Sequence, residues 1–304
     1  MLKSFFKNKM FDKDGGQRVK KVIITGANSG LGKATTYEML KRGYEVIMVC
    51  RSEKRGVKAF QEILEQSQNK HVVLELCDLS SFESILEFSK RIKEKYEAID
   101  VLINNAGVIL TKRQETKEGF EMQIGVNHFG HVLLTRELLP LLKKADSGRI
   151  VVVSSGAHKG GKIYFHDLQL KKNYSTFRAY AQSKLANVLY VKSMAKKLRQ
   201  TNVTINAVHP GAVGTNFGVD RDTGFGKTLL KVLGIFFLTP EEGARTIIYL
   251  ADSKEVEGKS GGYYYKQKPS EISKYAKQRS ITHRFYKLTN ALIDEKLKTM
   301  MENR

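Results

Sequence analysis

Tyr180 and Lys184 stand four residues apart in Tyr180-Ala181-Gln182-Ser183-Lys184, inside a strong helical pattern. Positions i and i+4 share one helix face, so both side chains project the same way. The pairing has a chemical use. A phenol with a pKa of about 10 exchanges protons poorly at neutral pH. A neighbouring ammonium stabilises the phenolate and draws the group toward working pH. Alone, such a pair reads as a surface feature; a second motif makes it specific. Thr25-Gly26-Ala27-Asn28-Ser29-Gly30-Leu31-Gly32-Lys33 follows an apolar run and opens a helical pattern. Gly26 permits a tight turn, and Gly30 and Gly32 let backbone and helix come close to a pyrophosphate. The helix N-terminus adds free N–H donors and a positive dipole end. Asn28, Ser29 and Leu31 fall in the same cradle. The spacing G-x-x-x-G-x-G is one residue longer than the usual dinucleotide fingerprint. An ordinary Gly-rich turn is the plain alternative.

The end of the second strand selects the dinucleotide. An acid there serves the ribose hydroxyls of NAD, whereas this chain reads Val49-Cys50-Arg51-Ser52. A carboxylate would repel a 2′-phosphate, while an Arg fork holds one bidentately. Lys33 supplies a second cation nearby. The expectation is NADP(H) over NAD(H), with a solvent-facing Arg51 as the alternative. Asp78-Leu79 ends the third strand where adenine should lie; Asp78 either accepts from the adenine amino group or caps the next helix.

Positioning these motifs takes a particular set of elements. Strands are expected at Val22 to Thr25, Glu45 to Cys50, His71 to Cys77, Ile99 to Asn104, Arg149 to Ser154, Val203 to Val208 and Gly262 to Tyr265. Helices are expected after Gly32, from about Ser52, from about Phe82, around Phe120 to Lys144, over about Thr176 to Gln200, and from Thr239-Pro240-Glu241-Glu242. Apolar, β-branched runs joined by helices mean a parallel sheet buried on both faces. Right-handed crossovers make it a doubly wound, Rossmann-type α/β fold, which binds ligands at the strands' carboxyl ends. One domain over residues 21–265 follows a basic, flexible stretch (1–20) and precedes a basic helical extension (266–304). In the first stretch Phe5, Phe6, Met10 and Phe11 read as a frayed tail or an amphipathic surface anchor.

Composition narrows the function classes. The chain has 304 residues, 41% hydrophobic and 27% charged, which suits a globular core. No apolar run approaches the ~20 residues of a membrane-spanning helix, and no secretory signal is visible. Two cysteines, Cys50 and Cys77, exclude a disulfide scaffold and suit a reducing cytoplasm. They end neighbouring strands and read as buried thiols rather than a redox pair. His158, His166 and His209 lack metal spacing, so no metal is expected. With 52 Lys and Arg against 31 Asp and Glu, the net charge is +21. That favours phosphorylated cofactors or acidic membrane surfaces. No nucleic-acid motif accompanies it, so no nucleic-acid partner is expected.

Four motifs in order resemble the short-chain dehydrogenase/reductase family: the Thr25 to Gly32 loop, Asn104-Asn105-Ala106-Gly107, a serine closing the fifth strand, and Tyr-x-x-x-Lys. The resemblance runs from about Val22 to Tyr265. It implies that Tyr180 is the general acid/base, and that Lys184 lowers its pKa and bonds the nicotinamide ribose. It implies that Asn127 holds a proton-relay water and that Asn105, Ala106 and Gly107 support the cofactor. His209-Pro210-Gly211, then Val213 and Thr215, match the segment contacting the nicotinamide carboxamide. Ser154 and Ser155 are adjacent, and alternation allows only one to face the site; the family pattern selects Ser155. Between Ser155 and Tyr180 lie about twice the dozen residues many members have. Phe165-His166-Asp167-Leu168-Gln169, Ser183-Lys184-Leu185-Ala186-Asn187 and Val208-His209-Pro210-Gly211 resemble the retinol dehydrogenase-like branch. That resemblance implies an apolar carbonyl or alcohol substrate, interconverted by hydride transfer. Residues of about 216–238, with Phe225, Leu229, Leu230, Leu233, Phe236 and Phe237, match the substrate lid. The alternatives are reduction of an activated C=C bond, a membrane-associated lipid-modifying oxidoreductase, or a non-catalytic cofactor-binding regulator. Cytoplasmic location, peripheral membrane contact and homo-oligomers complete the expectations.

Overall fold

The structure is a computed structural model that describes residues 18–212 and 238–302. Val213, Thr215, the lid up to Phe237 and the N-terminal anchor residues fall outside the described residues. β1 (Lys21–Thr25), β2 (Glu45–Cys50), β3 (Val72–Leu76), β4 (Val101–Asn104), β5 (Gly148–Val153), β6 (Val203–His209) and β7 (Tyr263–Tyr265) all run parallel to their neighbours. A two-residue strand, β8 (Lys268–Pro269), pairs antiparallel with β7 and closes the edge. The order β3-β2-β1-β4-β5-β6-β7-β8 reverses its winding between β1 and β4. That crevice is where a doubly wound sheet binds its ligand.

Strands buried on both faces are apolar at nearly every position, as in Val22-Ile23-Ile24 and Arg149-Ile150-Val151-Val152-Val153. One face is covered by α1 (Gly30–Lys41), α2 (Glu53–Gln66) and α7 (Pro240–Asp252). The other carries α3 (Phe82–Lys95), α5 (His131–Lys143) and α6 (Thr176–Lys197). The start of α7 obeys its sequence signal: Thr239 and Glu242 form a reciprocal capping box around Pro240.

The helix expected around Phe120 to Lys144 is in fact composite. A short α4 (Met122–Ile124) leads into a π-helical turn, Gly125–Gly130, and then α5. Close packing explains the glycines that bound the turn. A Cβ on Gly125 would lie 2.3 Å from Thr116 Cγ2, and one on Gly130 would lie 2.4 Å from the Leu79 carbonyl. The widened turn brings Asn127, His128 and His131 into the interior. The C-terminal extension is helical, as α8 (Lys274–Lys277) and α9 (Arg279–Glu302). It packs Phe285 and Ile293 into the α3/α5/α6 core, and the Ser193 hydroxyl on α6 bonds the Thr282 carbonyl at 3.2 Å.

Candidate active site

The glycine loop folds around Thr25. Its Oγ1 accepts from the Asn105 and Ala106 amides, each at 2.9 Å, and Asn105 Nδ2 bonds the Thr25 carbonyl at 2.7 Å. This ties the Asn105-Ala106-Gly107 segment to the cradle. Gly26 takes φ +67°, a conformation costly to any residue with a Cβ. Gly32 is required by proximity: a Cβ there would sit 2.2 Å from the Gly26 carbonyl oxygen. Ser29 is the N-cap of α1, yet its side chain makes no capping bond. The first-turn amides of α1 thus meet no capping side chain, a donor set suited to phosphate oxygens. Asn28, Gly30 and Leu31 are half-buried beside them. These features fit a dinucleotide pyrophosphate.

At the end of β2, Arg51 is exposed, and among the described residues it forms no ion pair. Lys33 is differently placed from the second free cation expected beside a 2′-phosphate. Its ammonium pairs with Glu62 on α2 and holds that carboxyl below the usual range. Asp78 resolves toward a local turn: its Oδ1 accepts from the Ser80 amide at 2.9 Å and hydroxyl at 2.7 Å. Leu79 is buried, with its carbonyl against Gly130. Cys50 and Cys77 are free and buried, and burial pushes their thiols up to about 11 and about 12.

α6 begins at Ser175, whose hydroxyl accepts from the Arg178 amide at 3.2 Å. One turn on, Tyr180 meets Ser155. Alternation separates the two serines as expected. Ser154 is buried and donates to the Lys184 carbonyl at 2.8 Å. Ser155 Oγ accepts from the Ala157 amide at 3.2 Å and lies near enough to the Tyr180 phenol to bear on its ionisation. Burial pushes that phenol up from its ordinary value, and Ser155 pulls it partly back. The Lys184 Nζ lies 5.7 Å from the Tyr180 ring centroid and donates to the Val153 carbonyl at 3.1 Å. Full burial lowers this ammonium to about 8. The bond of the Lys184 amine goes to the strand-end carbonyl, and burial weighs more on the phenol than Ser155 does.

Asn127 is wholly buried in the π turn. Its Oδ1 accepts from the Val108 amide at 2.8 Å, and its Nδ2 donates to the Val108 carbonyl at 3.1 Å and to Ser183 Oγ at 3.0 Å. Its own carbonyl meets His131 Nδ1 at 3.2 Å. On the far side of Ser155, His209 stacks on Tyr265 with centroids 4.8 Å apart and bonds the Gly211 amide at 3.2 Å. Gly211 has φ +93°, and half-buried Pro210 precedes it. Buried His158 bonds the Ser155 carbonyl at 2.7 Å. His166 is exposed, away from these groups. Sequence reasoning missed Thr25 as a hub, and it missed His128, His131 and Asn187. The i+4 step from Asn127 to His131 was visible, but only the fold shows that it spans a π turn.

A phenol, a serine hydroxyl, a buried amine and a phosphate cradle thus share the carboxyl edge of one sheet. The short chain dehydrogenase family model matches residues 20–224. The chain belongs to the short-chain dehydrogenase family. It is 42% identical to mouse retinol dehydrogenase 14 over 286 residues, covering 90% of this chain and 86% of the relative. It is 42% identical to human retinol dehydrogenase 13 over 250 residues, covering 81% and 76%. Among solved structures, a Mycobacterium paratuberculosis protein is 31% identical with a TM-score of 0.72, covering 90% of this chain and 93% of that one. A short chain dehydrogenase from Escherichia coli CFT073, solved with NADPH, has a TM-score of 0.64 at 22% identity, covering 82% and 97%.

Proposed function

We propose that this oxidoreductase uses NADP(H) to interconvert a carbonyl and an alcohol on an apolar small molecule. The observation that carries the reading is the convergence of Tyr180, Ser155 and the Lys184 amine at the end of β5, on the same sheet edge as the glycine cradle. The α1 amides and the Gly26 to Gly32 backbone would hold the pyrophosphate, Arg51 would meet a 2′-phosphate, and the Asn105 to Gly107 and Pro210-Gly211 segments would support the rest of the cofactor. When bound, NADP(H) supplies or accepts the hydride at the substrate carbon. Tyr180 gives the oxygen its proton in reduction and removes it in oxidation. The Ser155 hydroxyl, beside Tyr180, donates to the substrate oxygen and steadies the charge that develops there. Lys184 sets its ammonium beside the Tyr180 ring, and Asn127 braces the π turn through its bonds to Val108 and Ser183. The retinol dehydrogenase relatives support the apolar substrate.

Purified protein with NADPH, tested against aldehydes and ketones of graded chain length, checks this reading. Tyr180→Phe should lower kcat by about 10²–10⁴-fold; an unchanged rate removes the mechanism. The reading extends to a cytoplasmic enzyme in peripheral contact with anionic membranes, supported by the net charge of +21. Co-sedimentation no stronger with anionic than with zwitterionic vesicles would refute that contact.

A further inference from the structure

A file of polar groups crosses the interior from the C-terminal extension to the catalytic amine. Thr289 on α9 is fully buried, and its Oγ1 lies 3.1 Å from His128 Nε2. His128 Nδ1 lies 3.3 Å from Asn187 Oδ1. Asn187 Nδ2 donates to the Val153 carbonyl at 3.2 Å, the same oxygen that takes the Lys184 bond at 3.1 Å. His128 and Asn187 are as deeply buried as Thr289, so no bond in the file is readily replaced by solvent.

The direction of every proton in the file follows from its end. A carbonyl only accepts, so Asn187 turns its NH2 to Val153 and its Oδ1 to His128. His128 Nδ1 must then carry the imidazole proton, which leaves Nε2 as an acceptor. Thr289 must supply the donor. The opposite tautomer would press two lone pairs together at Asn187 or flip its amide oxygen onto the Val153 carbonyl. The Val153 carbonyl thus fixes the amide on α6, the amide fixes the tautomer on the π turn, and the Thr289 hydroxyl on α9 supplies the donor that the bare, buried Nε2 needs to stay in place, so the amide keeps its hold on the carbonyl that anchors Lys184. That carbonyl also leads directly into Ser154 and Ser155. Ring packing holds the histidine in place: Phe285 of α9 lies 5.2 Å from its centroid, and Tyr190 of α6 meets it edge-on at 6.0 Å.

From this arrangement we infer that Thr289 is a positioning residue for the Lys184–Tyr180–Ser155 centre, acting through His128, Asn187 and the Val153 carbonyl. The C-terminal extension is then part of the catalytic apparatus. This rests on the proposed oxidoreductase function, and its test separates the two.

Wild type, Thr289→Val, Thr289→Ser and Tyr180→Phe are compared with NADPH and decanal. Long-range ¹H–¹⁵N spectra of histidine-labelled protein read the His128 tautomer without any turnover. The expected result is a single Nδ1–H tautomer in wild type. In Thr289→Val, the Nδ1–H tautomer persists but the Nε2 ¹⁵N shift moves as its hydrogen bond is lost, and kcat falls about tenfold while KM stays within about twofold, because the loss lies in positioning. Thr289→Ser restores both. Should Thr289→Val not fold, Thr289→Cys, a weak donor of similar size, replaces it and should give a shifted Nε2 signal and a kcat below that of wild type and the Ser variant. An Nε2–H tautomer in wild type, or a hydroxyl-free or thiol variant with wild-type kcat, overturns the inference. If Tyr180→Phe keeps the wild-type rate, the oxidoreductase mechanism itself fails; if it is inactive while Thr289→Val is normal, only the role of Thr289 fails.

Discussion

Moving from pH 7.5 to pH 5.5 should cost the fold about 3 kcal/mol through two histidines alone. His128 and His131 are buried in the π turn and the start of α5, and burial drives both imidazoles down to about 3. Folded, they remain neutral across the whole interval, while in the unfolded chain they titrate near the ordinary value of about 6.5. A base whose folded pKa is lowered leaves the unfolded state holding more protons as the pH falls. Its contribution is therefore intact above about pH 6.5 and is lost progressively down to about 3. One unit below 6.5, each group costs about 1.4 kcal/mol, so the pair costs about 3, against a typical total of about 5–15. The bonds agree with neutral rings. Thr25 Oγ1 already accepts two amides, so its hydroxyl donates to His131 Nε2 at 2.9 Å, and a second ring proton would have no acceptor. His209, lowered to about 4, and His158 act in the same sense. Glu121, raised by burial, acts in the opposite one. Urea denaturation at half-unit pH steps measures the slope, and His128→Asn should remove about half of the pair's share. Equal unfolding free energies at pH 7.5 and 5.5, or a slope untouched by that variant, would refute the reasoning.

The serines give a sharp contrast. Ser155→Ala should lower kcat by about 10²-fold or more, as loss of a donor at a developing oxyanion does, whereas Ser154→Ala should act mainly on stability; steady-state kinetics and thermal melts of both read the difference, and the reverse pattern would reassign the serine. Arg51→Ala should raise the Kd for NADPH about tenfold and leave that for NADH nearly unchanged, because a charge-assisted bond contributes about 1.5–3 kcal/mol; fluorescence titration with both coenzymes checks it, and parallel losses would detach Arg51 from the 2′-phosphate.

Some of this was legible in the residues because single segments decide it. Val22-Ile23-Ile24 and Val203 to Val208 are short, apolar and β-branched, and a strand buried on both faces is what such runs form. Pro240 with Thr239 and Glu242 marks a helix start through its own local bonds. The Ser154/Ser155 choice follows from the two-residue period of a strand. The π turn was not legible, because its cause is packing: Gly125 is small to clear Thr116 across a loop, and Gly130 to clear Leu79, which is distant in sequence. Periodicity alone reads the same residues as one helix. The Lys33–Glu62 pair was not legible for a similar reason, since Glu62 reaches Lys33 only after α1 and α2 lie side by side. The role of α9 depends on Thr289 meeting His128 across 161 positions of sequence.

The π turn explains how two motifs so far apart in the chain are held in one geometry. Thr25 at the end of β1 donates to His131, and His131 Nδ1 then donates to the Asn127 carbonyl at 3.2 Å. The Asn127 amide bonds Ser183 at 3.0 Å, and the Ser183 hydroxyl bonds the Tyr180 carbonyl at 2.8 Å. The glycine cradle and the catalytic helix are thus joined by side-chain bonds through a turn that a regular α-helix would not build. A regular helix would tighten the Asn127–His131 step and withdraw one of these groups from its partner. The wide turn registers the cradle to the phenol, so that hydride and proton can reach the same carbonyl from groups some 150 residues apart in the chain.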